Sequence, residues 1–302
     1  MNRPIYFFTG FLDSGKTTSI KRTLEDPRFT ENEKTLILCL EEGDEAYDEG
    51  FLNACHCVIE YVDYNDLNTS FIKKLDDKYK PDRIFIEFNG MNDDKEILNM
   101  PLPNDLEYAQ IICNVDTSKF RLFVTNMPQF MFNHICVADT VVLNRYEGAD
   151  FKYLRNNIKS MNRNALIVLE DENGQMLDLP MGEIFDPNNL NISDDDYGLF
   201  YMDVVDNINR YEDKKVSFNG FYLDDAGNDK VIGRFAMVCC ANDTQRLAMR
   251  VKNLKEKMTI GKYYHIDGII KLQRQNRGIF LYIEALNAKE IPAPEMEYVS
   301  FN

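Results

Sequence analysis

Residues 10–17 read Gly10-Phe11-Leu12-Asp13-Ser14-Gly15-Lys16-Thr17, with Thr18 following. The spacing fits G-x-x-x-x-G-K-[ST], and each residue type has a chemical reason to be there. Glycines let the backbone turn so that successive N–H groups point inward at a phosphate chain. Lys16 supplies a cation for β- and γ-phosphate charge, and the Thr17 hydroxyl is placed to reach a Mg²⁺ ion. A helix opening near Thr17 aims its positive end at the same anion. The predicted ligand set is Gly10, Asp13, Ser14, Gly15, Lys16, Thr17 and Thr18. Asp13 puts a negative charge inside this loop. Facing phosphate would be costly for it, so its side chain is expected to point to solvent or to a partner subunit.

A phosphate loop works only between a strand and a helix, and the surrounding pattern supplies both. An apolar run at 5–9 precedes the loop, and Ile20 and Leu24 fall on one face of the following helix. Further apolar runs lie at 35–40, 57–62, 83–88, 110–115, 140–144 and 165–169. Between them, Leu67, Phe71, Ile72, Leu75 and Tyr79 repeat at helical spacing with Pro81 as a stop, and Phe151, Leu154, Ile158 and Met161 do the same. Strands alternating with helices predict a mostly parallel α/β sheet covered on both faces. From about 177 to 197 the texture changes to a linker or loop marked by Asp-Pro-Asn-Asn at 186–189 and by Asp194-Asp195-Asp196. Beyond it the helical period nearly vanishes. Five strands are predicted at 216–223, 233–240, 246–251, 263–272 and 279–286, with one helical turn at 253–258. Five strands in so short a stretch predict a small all-β barrel of the OB type. The expected organisation is a P-loop domain over 1–190 and an OB-like domain over 198–302.

The chain has 302 residues and a formal net charge of −16, with 44 % hydrophobic residues and a pI near 4.7. That is long enough for two cores. The acidic balance argues against a nucleic-acid partner, because phosphate contacts need clustered Lys and Arg. Lys252, Lys255, Lys257, Lys262, Lys271, Arg274 and Arg277 make only the C-terminal end locally basic, leaving an oligonucleotide-binding barrel as a disfavoured reading. No apolar run is long enough to span a bilayer, and the run at 5–8 leads straight into the loop rather than forming a targeting segment. Seven cysteines in a chain of this length fit reduced thiols in a cytoplasm better than a disulfide framework.

The residues around the loop keep the order of a known family. Thr9-Gly10-Phe11-Leu12 ahead of Ser14-Gly15-Lys16-Thr17-Thr18, then Leu40-Glu41-Glu42-Gly43-Asp44 with Asp48, Ile86-Glu87-Phe88-Asn89-Gly90, Val115-Asp116, Ala138-Asp139 and Val141-Val142-Leu143-Asn144 resemble the CobW-type family of metal-linked P-loop GTPases. The likeness covers residues 1 to about 170. It implies GTP with Mg²⁺. Catalysis would rest on Lys16, Thr17 and Glu87, with Thr17 and Glu87 at the magnesium, Glu41 in a switch segment near metal or γ-phosphate, and Asn144 facing the base. An acidic residue at the carboxyl end of a core strand beside the loop suits that magnesium role on its own chemistry. Asn144-Arg145-Tyr146-Glu147 stands where the family has Asn-Lys-x-Asp. Glu147 is one methylene longer than the Asp that pairs with guanine, which leaves ATP as the alternative.

The family's Cys-x-Cys-Cys metal motif is matched by Ala54-Cys55-His56-Cys57-Val58, with Val in place of the last Cys. Cys55 and Cys57 could grip zinc or another transition metal, completed by Glu41 or Glu42 or by a second protein. The competing reading is two half-buried structural thiols. Cys39, Cys113 and Cys136 lie in apolar runs and read as core residues. His134 reads as helix packing, and His265 shows no partner. Farther on, Arg234-Phe235-Ala236-Met237-Val238-Cys239-Cys240-Ala241-Asn242-Asp243, with 261–268 and 291–294, is similar to a YcgQ-like bacterial domain found with membrane permeases. This second likeness covers about 210–295 and implies fold more than activity. The bland reading of Cys239 and Cys240 is a strand end with one buried thiol; a metal or redox site with Asp243 is the other.

The expected function is a nucleoside-triphosphate-hydrolysing protein of metal homeostasis, coupling nucleotide state to metal binding or delivery. Its expected partners are nucleotide, a metal-client protein or membrane permease, and a second copy of the chain. The alternative is a nucleotide-gated, non-hydrolysing adaptor of a membrane transporter.

Overall fold

The computed structural model describes residues 2–30, 33–41, 43, 45–92, 94–148, 150–180, 185–237, 244–254, 257–275, 278–294 and 298–299. Glu42, Asp44, Cys239, Cys240, Asp243, Lys255 and Arg277, which the sequence singles out, lie outside the described residues. Two compact units result, Met1–Leu179 and Pro180–Asn302.

The first unit is built on strands β1 (Arg3–Thr9), β2 (Thr35–Cys39), β3 (Cys57–Tyr61), β4 (Arg83–Glu87), β5 (Leu106–Asp116), β6 (Thr140–Asn144), β7 (Leu166–Glu170) and β8 (Met176–Leu177). They form one sheet in the order β3-β2-β4-β1-β5-β6-β7-β8. All pairings are parallel except that of β8 with β7. Helices α1 (Lys16–Glu25), α2 (Pro27–Thr30), α3 (Glu49–Ala54), α4 (Thr69–Tyr79), α5 (Asp94–Leu98), α6 (Phe120–Asn126), α7 (Pro128–Val137) and α8 (Phe151–Met161) connect them. Successive side chains of a strand face opposite sides, so a sheet covered on both faces needs unbroken apolar runs. Phe7 joins Ile84, Ile86 and the α4 residues Ile72 and Leu75 on one side, while Phe8 joins Ile37, Phe85 and the α1 residues Ile20 and Leu24 on the other. The α4 boundaries follow from its caps: Asn68 accepts a 3.0 Å bond from the Phe71 amide, and Lys80 ends the helix in the left-handed region.

The strand order reverses at β1. On one side of β1 lie β4, β2 and β3 and on the other β5, β6 and β7; the chain runs from β1 out to β2 and β3, returns to β4, and then crosses to β5. In such a sheet the carboxyl ends of the strands at the reversal form a crevice. Thr9, Cys39, Glu87, Asp116 and Asn144 close their strands at this edge, which is how residues scattered over more than a hundred positions reach one site.

The second unit contains β9 (Leu190–Asn191), α9 (Tyr197–Asp206), β10 (Lys215–Ala226), β11 (Asp229–Met237), β12 (Thr244–Lys252), β13 (Tyr263–Gln275), β14 (Gly278–Ile291) and β15 (Tyr298–Val299). Five strands close into a barrel in the order β10-β11-β12-β14-β13, with β10 pairing to β11 to shut the ring and β12 parallel to β14. All five predicted strands are present, each longer than its apolar run. The helix α9 is not announced by the pattern. It buries Tyr197, Leu199, Phe200, Met202 and Val204 among Phe218, Leu247, Met249 and Ile266 of the barrel. A helix enclosed on nearly every side is apolar on nearly every side, which erases the one-faced period. The described residues of the expected turn at 253–258 are in no helix.

Phe200 is fully buried in this core. Phe200→Ala should cost about 3–5 kcal/mol of unfolding free energy in denaturant titration of the full chain. A loss below about 1 kcal/mol would contradict α9 as part of the barrel core.

Candidate functional site

β1 ends at Thr9, and the loop that follows turns tightly enough to need glycine. Gly15 has φ of 90° as the residue capping the start of α1, a conformation that side chains rarely adopt. No acidic residue sits in the first turn of α1, so its positive end faces the loop uncompensated. Gly90 is required by close approach instead. A Cβ there would lie 2.1 Å from the Gly10 carbonyl oxygen, so the segment after β4 packs directly on the phosphate loop.

The cleft over this loop has a volume of about 110 Å³ and is lined by Asp13, Gly15, Lys16, Thr17, Thr18, Glu41, Glu87 and Arg145 among others. Lys16 is 3 % exposed. Its ammonium donates to the carbonyls of Gly10 at 2.9 Å and Phe11 at 2.7 Å and is ion-paired with Glu41. The Thr17 hydroxyl donates to Glu87 Oε1 at 2.6 Å, and the Tyr47 phenol donates to Glu87 Oε2 at the same length. Burial pushes the Glu87 carboxyl above its ordinary range, although hydrogen bonds from Thr17 and Tyr47 and the Lys16 ammonium work against that shift. A buried carboxylate held up in this way gains from a cation beside it. Thr17 and Glu87 therefore fit a divalent ion. Cys39, in register with Glu87, is pushed up to about 12, chiefly by burial and then by the Glu87 carboxylate.

On the other flank, Asn144 donates through Nδ2 to the Ser14 carbonyl at 2.7 Å. The buried atoms Asn144 Oδ1, Ser14 Oγ and both amide atoms of Asn114 have no hydrogen-bond partner. Unpaired polar atoms cost free energy when buried, and three such side chains around one loop suit a polar ligand there. Arg145 Nη1 donates to the Asp13 carbonyl at 3.0 Å and to Asp116 Oδ2 at 2.6 Å. Asp116 lies below the usual carboxylate range: burial opposes its charge, and bonds from Ser118 and Arg145 outweigh that. The side chain of Asp13 is exposed, and Glu147 is exposed beyond β6.

Cys55 and Cys57 sit elsewhere. Cys57 opens β3 opposite Thr35, the first residue of β2, whereas Glu41 follows the last. The length of β2 and the two residues beyond it separate the thiols from Glu41 by about 20 Å of extended chain. Glu41 is thus not brought to the cysteine pair; it is spent on Lys16. Both thiols are buried, and burial pushes Cys55 up and Cys57 up to about 12. A metal ligand must be a thiolate. Among the described residues, no group of three His, Cys, Asp or Glu side chains is placed to hold an ion.

A buried cluster of contacts behind the loop is invisible in the sequence. Thr9 donates to Asp94 Oδ2 at 2.8 Å. His134 Nδ1 lies 2.8 Å from the same oxygen and 2.9 Å from Thr9 Oγ1, and its Nε2 lies 2.9 Å from the Gly90 carbonyl. This fully buried cluster ties β1, α5, α7 and the Gly90 segment together directly behind the loop. His134 also packs edge-on against Phe11, so packing accounts for only part of its role. Glu41 and Glu45 line the cleft, and Tyr47 bonds to Glu87 beside it. In the barrel, His265 is partnered after all: its Nδ1 is 2.8 Å from Asn219 Oδ1 and its Nε2 is 3.1 Å from Ser217 Oγ. No helix among the described residues is long and apolar enough to cross a membrane.

The family profile described as CobW/HypB/UreG, nucleotide-binding domain, matches residues 4–169, more than half of the chain. That of the DUF1980 C-terminal domain matches residues 166–300. No curated protein matches the chain. Among solved structures, the hydrogenase maturation factor HypB from Archaeoglobus fulgidus is 24 % identical, with 55 % of this chain and 80 % of that one covered and a TM-score of 0.41. A Zn(II)-bound triple mutant of the YjiA GTPase is 16 % identical, covering 95 % and 96 %, with a TM-score of 0.44. HypB from Helicobacter pylori in complex with nickel is 18 % identical, covering 56 % and 79 %, with a TM-score of 0.36.

The raised carboxyl of Glu87 carries a stability consequence. A group whose folded pKa is raised stabilises the fold below the ordinary carboxylate range, and that contribution is lost as pH rises through the folded value. At neutral pH the buried Glu87 carboxyl therefore burdens the ligand-free fold relative to low pH. Glu87→Gln should raise the melting temperature at pH 7, and the gap over wild type should close as pH falls through the carboxylate range. An equal or lower melting temperature at neutral pH would contradict the assignment.

Proposed function

The chain belongs to the CobW/HypB/UreG nucleotide-binding family, and we propose that it binds GTP with Mg²⁺ and hydrolyses it in the service of a transition metal. The observation that carries this reading is the convergence of the Thr17 hydroxyl on the buried Glu87 carboxylate, 2.6 Å apart, beside the Lys16 ammonium. Thr17 and Glu87 would hold the magnesium, which when bound neutralises charge developing on the phosphates. The chain's own residues do the rest. Lys16 and the N-terminus of α1 bind the phosphate chain and fix its direction, with Gly10, Asp13, Ser14, Gly15 and Thr18 shaping the loop. Asn144 and Glu147 would face the base, by resemblance to the family's Asn-Lys-x-Asp, with GTP as the first candidate and ATP as the other. Segment 41–48, which reaches both Lys16 and Glu87, would order or release with nucleotide state.

Cys55 and Cys57 would carry the metal, zinc or another transition ion, with further ligands from a client protein. That arrangement supports delivery between proteins in a reducing cytoplasm. The HypB and YjiA structures bound to nickel and zinc are those proteins' own properties; here they suggest which ions to test. The order of the barrel strands supports an OB-type module, read as the surface for a client protein or membrane permease. A second copy of the chain across the nucleotide edge is the proposed assembly, and no nucleic acid is expected. A non-hydrolysing nucleotide-gated adaptor is the second reading. It is favoured by the separation of Cys55 and Cys57 from the nucleotide edge, since nucleotide and metal then have no direct contact.

Two measurements separate these readings. With GTP and Mg²⁺, the purified chain should release phosphate, and Lys16→Ala should slow release by at least about 100-fold. Equal turnover in that variant would contradict hydrolysis by this site. Metal content after purification should fall in Cys55→Ser/Cys57→Ser; content unchanged by those substitutions would remove the cysteines from the metal role.

A further inference from the structure

The segment between β2 and α3 places three side chains on three groups expected to meet nucleotide. Glu41 is ion-paired with Lys16, their side chains 7 % and 2 % exposed. Glu45 accepts from the Thr18 hydroxyl and from Lys21 Nζ at 3.0 Å. Tyr47 donates to Glu87 Oε2 at 2.6 Å. The segment is anchored at both ends, by the Cys39 thiol donating to the Glu41 carbonyl at 3.0 Å and by Asp48, which caps α3 through the Phe51 amide at 2.9 Å.

An ammonium group has three donors, and those of Lys16 are all engaged, by the Gly10 carbonyl, the Phe11 carbonyl and Glu41. A phosphate oxygen can reach Lys16 only by taking one of these places. Two belong to the backbone of the loop itself, whose shape they help to set. The third sits on a side chain with rotatable bonds. A phosphate arriving beside an ionised Glu41, with Glu87 close by, would also meet like charge. Glu41 is therefore the group that must yield.

We propose that the Glu41 carboxylate is an internal competitor for the anion position of the loop, so that Glu41, Glu45 and Tyr47 keep their contacts until a triphosphate displaces Glu41 from Lys16. This rests on the nucleotide reading of the site and adds a selection rule to it. Binding becomes an exchange of one anion for another, and the observed affinity is the difference between them. A triphosphate brings its terminal charge to Lys16 and wins that exchange. A monophosphate places no charge there and leaves the contact intact. Because Glu45 and Tyr47 lie four and six residues beyond Glu41, its departure loosens their hold on Thr18, Lys21 and Glu87. The Glu87 carboxylate is thereby freed for a cation in the same event.

The test is equilibrium binding of GTP, ATP and GMP to the full chain in EDTA, where a metal role for Glu41 plays no part. Glu41→Gln should bind triphosphate at least about tenfold tighter than wild type, with GMP binding unchanged. Triphosphate binding equal to or weaker than that of wild type would overturn the proposal while leaving the nucleotide site standing. An equal gain for GMP would overturn the selection rule. Absence of triphosphate binding in both proteins would overturn the nucleotide reading and this inference with it. Thermal unfolding reports whether the variant is folded. Should it fail to fold, Glu45→Gln/Tyr47→Phe, which releases the segment at its two other contacts, should also tighten triphosphate binding, and no gain there would count against the proposal.

Discussion

An ammonium group taken out of water must be given anions or carbonyl oxygens in return, and the nucleotide edge of this protein is organised around that demand of Lys16. Two carbonyls of the loop and one carboxylate meet it. The other buried charge, Glu87, is met by two hydroxyls rather than by a cation of its own. The site thus holds opposite charges a short distance apart, the ammonium fully partnered and the carboxylate without a cation of its own. On the proposed reading, a metal–triphosphate complex would bring anionic oxygens to take the place of Glu41 on Lys16 and a cation for Glu87 and Thr17.

Its precision depends on the layers behind it. The strand order brings Thr9, Cys39, Glu87, Asp116 and Asn144 to one edge, and the two apolar faces of β1 hold that edge rigid. Gly90 touches the loop directly, and the Thr9–Asp94–His134 cluster pins the same segment from behind. A displacement of the loop would therefore be felt in α5 and α7, at the far end of a chain of buried contacts.

The α/β unit was legible because its strands are continuous apolar runs and its loop is a spaced motif. All seven predicted strands of that unit match observed ones to within a few residues, and the five barrel strands are likewise present. What stayed hidden shares one physical cause: it depends on pairing across the fold. The α9 helix is apolar all round because the barrel encloses it, so no face stands out in sequence. Glu41 was placed near metal or γ-phosphate by resemblance, but its ion pair with Lys16 was not foreseen; Glu45 and Tyr47 look like ordinary loop residues, and Thr9, Asp94 and His134 are separated by up to 125 positions. For Cys55 and Cys57 the motif was visible, but its position at the start of β3 was set by strand register. That register holds the pair away from Glu41.

The central claim is that the loop and Glu87 together hold a metal–triphosphate. Calorimetric titration of the full chain with GTP, in Mg²⁺ and in EDTA, for wild type and Thr17→Ala, tests it most directly. The account predicts saturable binding at one nucleotide per chain, with the variant weakened at least about tenfold in Mg²⁺ and little changed in EDTA. Non-saturable binding, or a variant indistinguishable from wild type in Mg²⁺, would contradict it.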